Sequence, residues 1–246
     1  MCKAISHLVW NPIDTSVHGV IYSFRRMPRR AHILVSDEIY HVFNRSVGRE
    51  EIFNNKRALN RAKELFGYYR FPHKIRYSRY LTLPFQLQQA YATEYMKRQP
   101  TVELYAFSLM PNHYHLLIKQ LHEKGIAKFV ANMQNSFAKY FNLKNERHGT
   151  LFEHAYKAKR VETDEEFLHL SRYIHLNPIT SYHIEIDKLV TYPWTSFPNY
   201  LKEGGFVNSK KILEMFPTKE KYLKFVTDQA DYQRKLGDIK HLLIDR

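Results

Sequence analysis

Two histidines two residues apart, His113 and His115 in the stretch SLMPNHYHLLI, sit inside an apolar run. On a strand both imidazoles leave the same face and Tyr114 leaves the other. Such a pair can hold a divalent cation, with positions left open for a third protein ligand and a substrate oxygen. It is equally satisfied as two hydrogen-bonded core histidines, and taken alone it favours packing. A second group lies in RYIHLNP, where Tyr173 and Asn177 stand four residues apart and so share one helical face. Asn177 precedes Pro178, which disfavours α backbone at Asn177 and frees its amide to turn toward a ligand. Read singly, Asn177 is a helix C-cap and Tyr173 a half-buried aromatic.

Taken together, the four residues have a chemical logic. Two imidazoles and one amide oxygen make an open three-ligand site, with a phenol one helical turn away. A phenol with a pKa near ~10 is a poor nucleophile at neutral pH unless a cation stabilises the phenolate or polarises the group attacked. A phosphodiester held on the cation is such a group, and attack by tyrosine would conserve the bond energy in a phosphotyrosine. Competing chemistries are poorly represented: there is no Gly-rich phosphate loop and no HExxH motif. The lone cysteine, Cys2, excludes an intrachain disulfide and a cysteine-rich zinc site.

The elements that must position these residues follow from periodicity and breakers. EIYHVFNRSV (Glu38–Val47) is rich in β-branched and aromatic residues and reads as a strand ending at Gly48. Leu59, Ala62, Leu65, Phe66 and Tyr69 recur at helical spacing, which predicts a helix from Lys56 to Tyr69. Residues 70–100, broken by Pro72, Pro84 and Pro100, read as a basic insertion with one short helix, Gln86–Lys97. VELYAFSLM and HYHLLIK are strand-like runs about Pro111-Asn112, either one bent strand or a tight hairpin. A helix over Gly125–Asn142 and a strand in TLFEHAYKAKRVE come next. Thr163 followed by Glu166 is a capping box, and Pro178 is read as the stop of a helix over Asp164–Leu176. The order predicts an α+β, ferredoxin-like (RRM-like) antiparallel sheet with helices on one face. Residues 1–26 read as an N-terminal arm, 27–181 as the catalytic domain and 182–246 as a small, mainly helical appendage.

The chain has 246 residues, 44% apolar, ample for a core. Its net charge is +14, and residues 27–181 carry +10 of it (24 Lys+Arg against 14 Asp+Glu). Such an excess favours a polyanionic partner through counterion release, and aromatic residues among the charges suit base stacking. No apolar run is long enough for a membrane span, and no signal-peptide pattern opens the chain. The expected location is therefore cytoplasmic, with the nucleoid.

PNHYHLL with a later YIHLNP, preceded by MPRR and IYHVFNR and followed by YPWTSF, resembles the single-tyrosine HUH transposases. Among them the pattern is most similar to the REP-associated tyrosine transposases, relatives of the smallest insertion-sequence (IS200-like) transposases. The likeness runs over Met27–Pro178, with a weaker tail to about Tyr200. It implies a ferredoxin-like palm and a Mg²⁺ or Mn²⁺ ion on His113 and His115, with Asn177 as third ligand. It implies also that Tyr173 cleaves and rejoins hairpin-bearing single-stranded DNA through a 5′-phosphotyrosine, leaving a 3′-hydroxyl. Arg29, Arg30, Arg45, Arg160 and Asn112 are the DNA contacts it suggests; each arginine reads equally well as a solvated surface charge. Two features depart from the pattern: the length of residues 70–100, and Tyr114 as a rival nucleophile between the histidines. Relatives act as monomers or exchange the tyrosine helix between subunits; the spacing permits both, and the monomer is preferred. The reading from another class is a non-catalytic nucleic-acid-binding regulator that keeps the palm.

Overall fold

In the computed structural model, residues 33–153, 155–202 and 205–228 are described. The N-terminal arm, residues 1–26, lies outside the described residues, as do Arg29 and Arg30. The elements are β1 (Ile39–Arg45), α1 (Lys56–Tyr69), α2 (Tyr77–Leu81), α3 (Phe85–Met96), β2 (Val102–Met110), β3 (His113–Gln120), α4 (Gly125–Lys144), β4 (Lys157–Arg160) and α5 (Asp164–Thr180), followed by α6 (Phe197–Leu201), α7 (Lys210–Leu213) and α8 (Lys219–Thr227). The four strands form one antiparallel sheet in the order β2-β3-β1-β4. That is the ferredoxin-like arrangement expected from the element order.

Strand alternation divides the sheet chemically. Tyr114 points to the face covered by α1 and α4, where its ring meets Phe66 and Phe152 and its hydroxyl accepts a hydrogen bond from Gln134 Nε2 at 2.9 Å. Phe129, Val130, Met133 and Phe137 of α4, three and four residues apart, are buried against this face. Asn55 caps α1 by accepting from the Ala58 amide at 3.0 Å. The first residue of α4 is constrained by contact: a Cβ on Gly125 would lie 2.3 Å from the Thr101 carbonyl oxygen. Gly125→Ala is expected to destabilise the fold by about 1–3 kcal/mol, as overpacking does. A urea midpoint equal to that of the parent protein would refute this.

The opposite face carries α5, a layer beyond the one-sided cover expected. Thr163 accepts from the Glu166 amide at 3.0 Å, and Asp164, Glu165 and Glu166 occupy the first turn, as predicted. The predicted stop at Pro178 is wrong, since the helix continues to Thr180. So close to the C-terminus a proline costs one intrahelical bond, and the last turn is stitched otherwise. The Ser181 amide donates to Asn177 O (3.1 Å) and the His183 amide to Pro178 O (2.9 Å). Asn177 consequently keeps helical backbone instead of the extended conformation expected before proline.

Three further expectations are refined. Pro111 and Asn112 form the two-residue turn of a tight hairpin, since Met110 pairs with His113. Residues 70–100 hold two short helices rather than one, packed by a ring cluster of Tyr68, His73, Tyr80, Tyr91 and Tyr95. The predicted strand in TLFEHAYKAKRVE contracts to Lys157–Arg160, the part that pairs with β1.

Of the appendage expected over 182–246, the described residues share the core. The outer edge of β2 is covered by backbone bonds from the Leu109 amide to Trp194 O and from the Ser196 amide to Phe107 O, both 2.9 Å. Phe197, Tyr200, Ile212 and Tyr222 are fully buried. His175 on α5 joins them, with Nε2 2.7 Å from Ser196 Oγ and Nδ1 2.9 Å from the Tyr222 hydroxyl. Burial pushes that histidine down to about 3, so it is held as a neutral ring. Among the described residues no helix is long and apolar enough to cross a membrane.

Candidate metal and nucleophile site

The register of the sheet gathers the side chains of the α5 face into rows. Ser108, His115, Phe43 and Lys157 lie side by side across the four strands, and His113 faces Arg45 in the next row. A cleft of about 600 Å³ opens here, lined by Phe43, Arg45, Asn112, His113, His115 and Tyr173 among others.

The ring nitrogens of His113 are assigned by its neighbour. Asn112 Nδ2 donates to Arg49 O at 3.3 Å, which turns its Oδ1 toward His113 Nδ1, 2.6 Å away. His113 Nδ1 therefore carries the proton, and its Nε2 lone pair is left for the cleft. His115 is buried, with Nδ1 2.9 Å from His41 Nε2. The two rings of the pair stand almost perpendicular, 83° apart, with centroids 5.1 Å apart. Burial first, then the charges of His183 and Arg45, push His113 down to about 4. Burial, with His41 and His113 adding to it, pushes His115 well below its ordinary value. Both imidazoles are thus neutral at physiological pH, the state in which histidine ligates metals.

Tyr173 reaches the cleft from α5 and presents its ring edge-on to His115, with centroids 5.7 Å apart. It is 36% exposed, whereas Tyr114 is 0% exposed on the far side of the sheet. Tyr114 is therefore turned away from the cleft. Burial raises the Tyr173 pKa, and the nearby side chain of Asn177 opposes the rise. Asn177 itself is buried one turn further along α5 and does not line the cleft; its Nδ2 is among the buried polar atoms with no hydrogen-bond partner in the ground state. Among the described residues no group of three or more His, Cys, Asp or Glu is arranged to hold a metal ion. A cation here would therefore depend on the two neutral imidazoles and a non-acidic third donor. The orphaned Asn177 amide has the chemistry for that third place, because a flip of the amide offers its oxygen in place of its nitrogen. The donor set fits a divalent cation.

The predicted DNA contacts divide. Arg45 and Asn112 line the cleft. Arg45 Nε also pairs with Glu153 Oε1 at 2.5 Å. Arg160 does not reach the cleft: it sits opposite Tyr40, five residues along β1 from Arg45, and holds Glu38 through two hydrogen bonds of 3.0 and 2.5 Å. Lys157 takes the place expected of Arg160, since the register sets it beside Phe43. Arg49 also lines the cleft. Sequence reasoning passed over Lys157, Arg49, Phe43 and His41. The alternation of IYHVFNR puts His41, Phe43 and Arg45 on one face, and the pairing of β1 with β3 was the missing piece.

Fold and site together define an α+β protein whose paired-histidine cleft on a ferredoxin-like sheet is faced by a tyrosine from a helix. Residues 71–177 match the family model described as "Transposase IS200 like". The match contains His113, His115, Tyr173 and Asn177 and begins after β1 and α1, so it bears out the resemblance read from the motifs. Two solved structures are similar at lower levels. A REP-associated tyrosine transposase bound to a REP hairpin is 13% identical over 74% of this chain and 93% of its own, with a TM-score of 0.46. A candidate transposase from Deinococcus radiodurans R1 is 16% identical over 60% of this chain and 95% of its own, with a TM-score of 0.33. Comparison with curated protein sequences gives no match.

Proposed function

We propose that the protein is a metal-dependent transposase that cleaves and rejoins hairpin-bearing single-stranded DNA through a phosphotyrosine at Tyr173. The observation that carries this reading is the convergence, in one cleft, of two neutral imidazoles and a half-exposed tyrosine. His113, His115 and Asn177 would hold Mg²⁺ or Mn²⁺. When bound, the cation supplies charge neutralisation and polarisation at the scissile phosphate.

The chain's own residues do the rest. Asn112 fixes His113 by accepting its Nδ1 proton. Arg45, Arg49 and Lys157 bring positive charge to the backbone of the strand, and Phe43 offers a ring to an unstacked base. The phenolate oxygen bonds to phosphorus as the bond from phosphorus to the 3′-oxygen breaks. The proton lost by tyrosine is balanced by the one gained at the 3′-hydroxyl. In the rejoining step the same exchange runs in reverse. The preference for a hairpin comes from the family resemblance, and the monomer is the preferred state because His175 of α5 is tied within its own chain to Tyr222 of α8 and to Ser196, whose hydroxyl accepts from the Phe107 amide of β2.

The reading is tested by incubating the protein with end-labelled hairpin DNA and Mn²⁺, then running a denaturing gel for a covalent adduct. An adduct that forms with Mn²⁺ and disappears with a chelator is expected. Absence of any adduct across varied hairpins would favour a DNA-binding regulator instead. His113→Ala is expected to abolish the adduct while hairpin affinity stays within about threefold, because binding rests on the basic and aromatic surface. Loss of hairpin binding along with the adduct would place His113 in the DNA interface or the fold instead.

A further inference from the structure

His41 is a buried histidine on the central strand β1, outside the segment that matches the transposase family. It lies diagonally across from His115: its strand partner is Leu117, and its Nε2 sits 2.9 Å from His115 Nδ1. The rings are stacked at 20°, with centroids 5.2 Å apart. Phe43 and Tyr173 close in on His41 at 4.9 and 6.1 Å, which leaves the ring little freedom to turn.

Two neutral imidazoles joined in this way share one proton, and its owner decides what His115 can do. If His41 Nε2 holds the proton, His115 Nδ1 is the acceptor and its Nε2 carries a hydrogen, so neither nitrogen can bind a metal. If His115 Nδ1 holds it, His41 accepts and the Nε2 lone pair of His115 is left open, matching the arrangement that Asn112 imposes on His113.

We propose that His41 is a positioning residue of the cation site: its Nε2 accepts the Nδ1 proton of His115 and so fixes the tautomer and ring angle in which His115 can ligate a divalent cation. The proposal rests on the metal-site reading given above. It assigns to a histidine the supporting role that a carboxylate or backbone carbonyl commonly fills behind a metal-bound imidazole.

The test begins with wild-type protein, metal-free and ¹⁵N-labelled at histidine, at neutral pH. Long-range ¹H–¹⁵N spectra are expected to show His115 protonated at Nδ1 and His41 unprotonated at Nε2. Mn²⁺ affinity is then measured by calorimetry for wild type, His41→Phe and His41→Gln. His41→Phe, which fills the space without an acceptor, is expected to weaken Mn²⁺ binding about 10–100-fold. His41→Gln, whose amide oxygen can accept the same proton, is expected to recover most of that loss. His115 protonated at Nε2 in the wild type would overturn the proposal whether or not any variant folds. So would a His41→Phe affinity within twofold of wild type. If wild-type protein binds no Mn²⁺, the metal-site reading falls, and the ¹⁵N spectrum still decides which histidine holds the proton.

Discussion

Tyr173→Phe is expected to eliminate the covalent protein–DNA adduct and to lower strand cleavage by a factor on the order of 10³ or more. The size follows from the absence of a substitute. The substitution removes one oxygen from the cleft, and the other tyrosine near the histidines, Tyr114, is 0% exposed on the opposite face of the sheet with its hydroxyl held by Gln134. The aromatic ring that meets His41 and His115 remains, so the site should keep its shape and its cation. Hairpin affinity and Mn²⁺ affinity are accordingly expected to stay within about threefold of wild type, since the basic side chains and imidazoles are untouched. A denaturing gel reads the first effect, and a mobility shift without metal reads the second. An adduct that survives in Tyr173→Phe would mean that another residue is the nucleophile.

Acid is expected to destabilise this protein well before its carboxylates are protonated. His175 and His41 are buried and uncharged, pushed down to about 3 and about 4, and His115 is lowered in the same direction. Each therefore binds fewer protons folded than unfolded, where the pKa is about 6.5. Stability thus rises with pH through this window. The contribution is complete above about pH 6.5 and is lost progressively as the pH falls toward the folded-state values. At pH 5, each of His175 and His41 costs about 2 kcal/mol, the pH lying roughly 1.5 units below the unfolded pKa. A loss of about 4 kcal/mol from these two, with His115 adding to it, is a large share of the roughly 5–15 kcal/mol that holds a domain together. Urea titrations of metal-free protein at pH 7.5 and pH 5 should show the midpoint falling by a third or more. Equal midpoints would show that these rings are solvated or charged in the folded state.

The order of elements, the helix over Lys56–Tyr69 and the cap at Thr163 were legible in the chain, because each rests on local chemistry; of the four candidate site residues, His113, His115 and Tyr173 line one cleft and Asn177 does not. Alternation dictates that His113 and His115 share a face, and helical spacing dictates that Tyr173 and Asn177 do. Pro178 shows the limit of such rules: this near the helix end a proline forfeits one intrahelical bond, and the following turn still closes through the amides of Ser181 and His183, which donate to Asn177 O and Pro178 O. Only the tertiary structure could decide which strand lies beside which. The order β2-β3-β1-β4 sets His41 next to His115 and Lys157 next to Phe43, while it carries Arg160 away to Glu38. Residues 182–228 are likewise joined to the core by backbone bonds to β2, whose edge position no local pattern reveals. Spacing along the chain fixes the neighbours of a residue on its own element; pairing between elements depends on contacts across long stretches of sequence, and those form only in the folded chain.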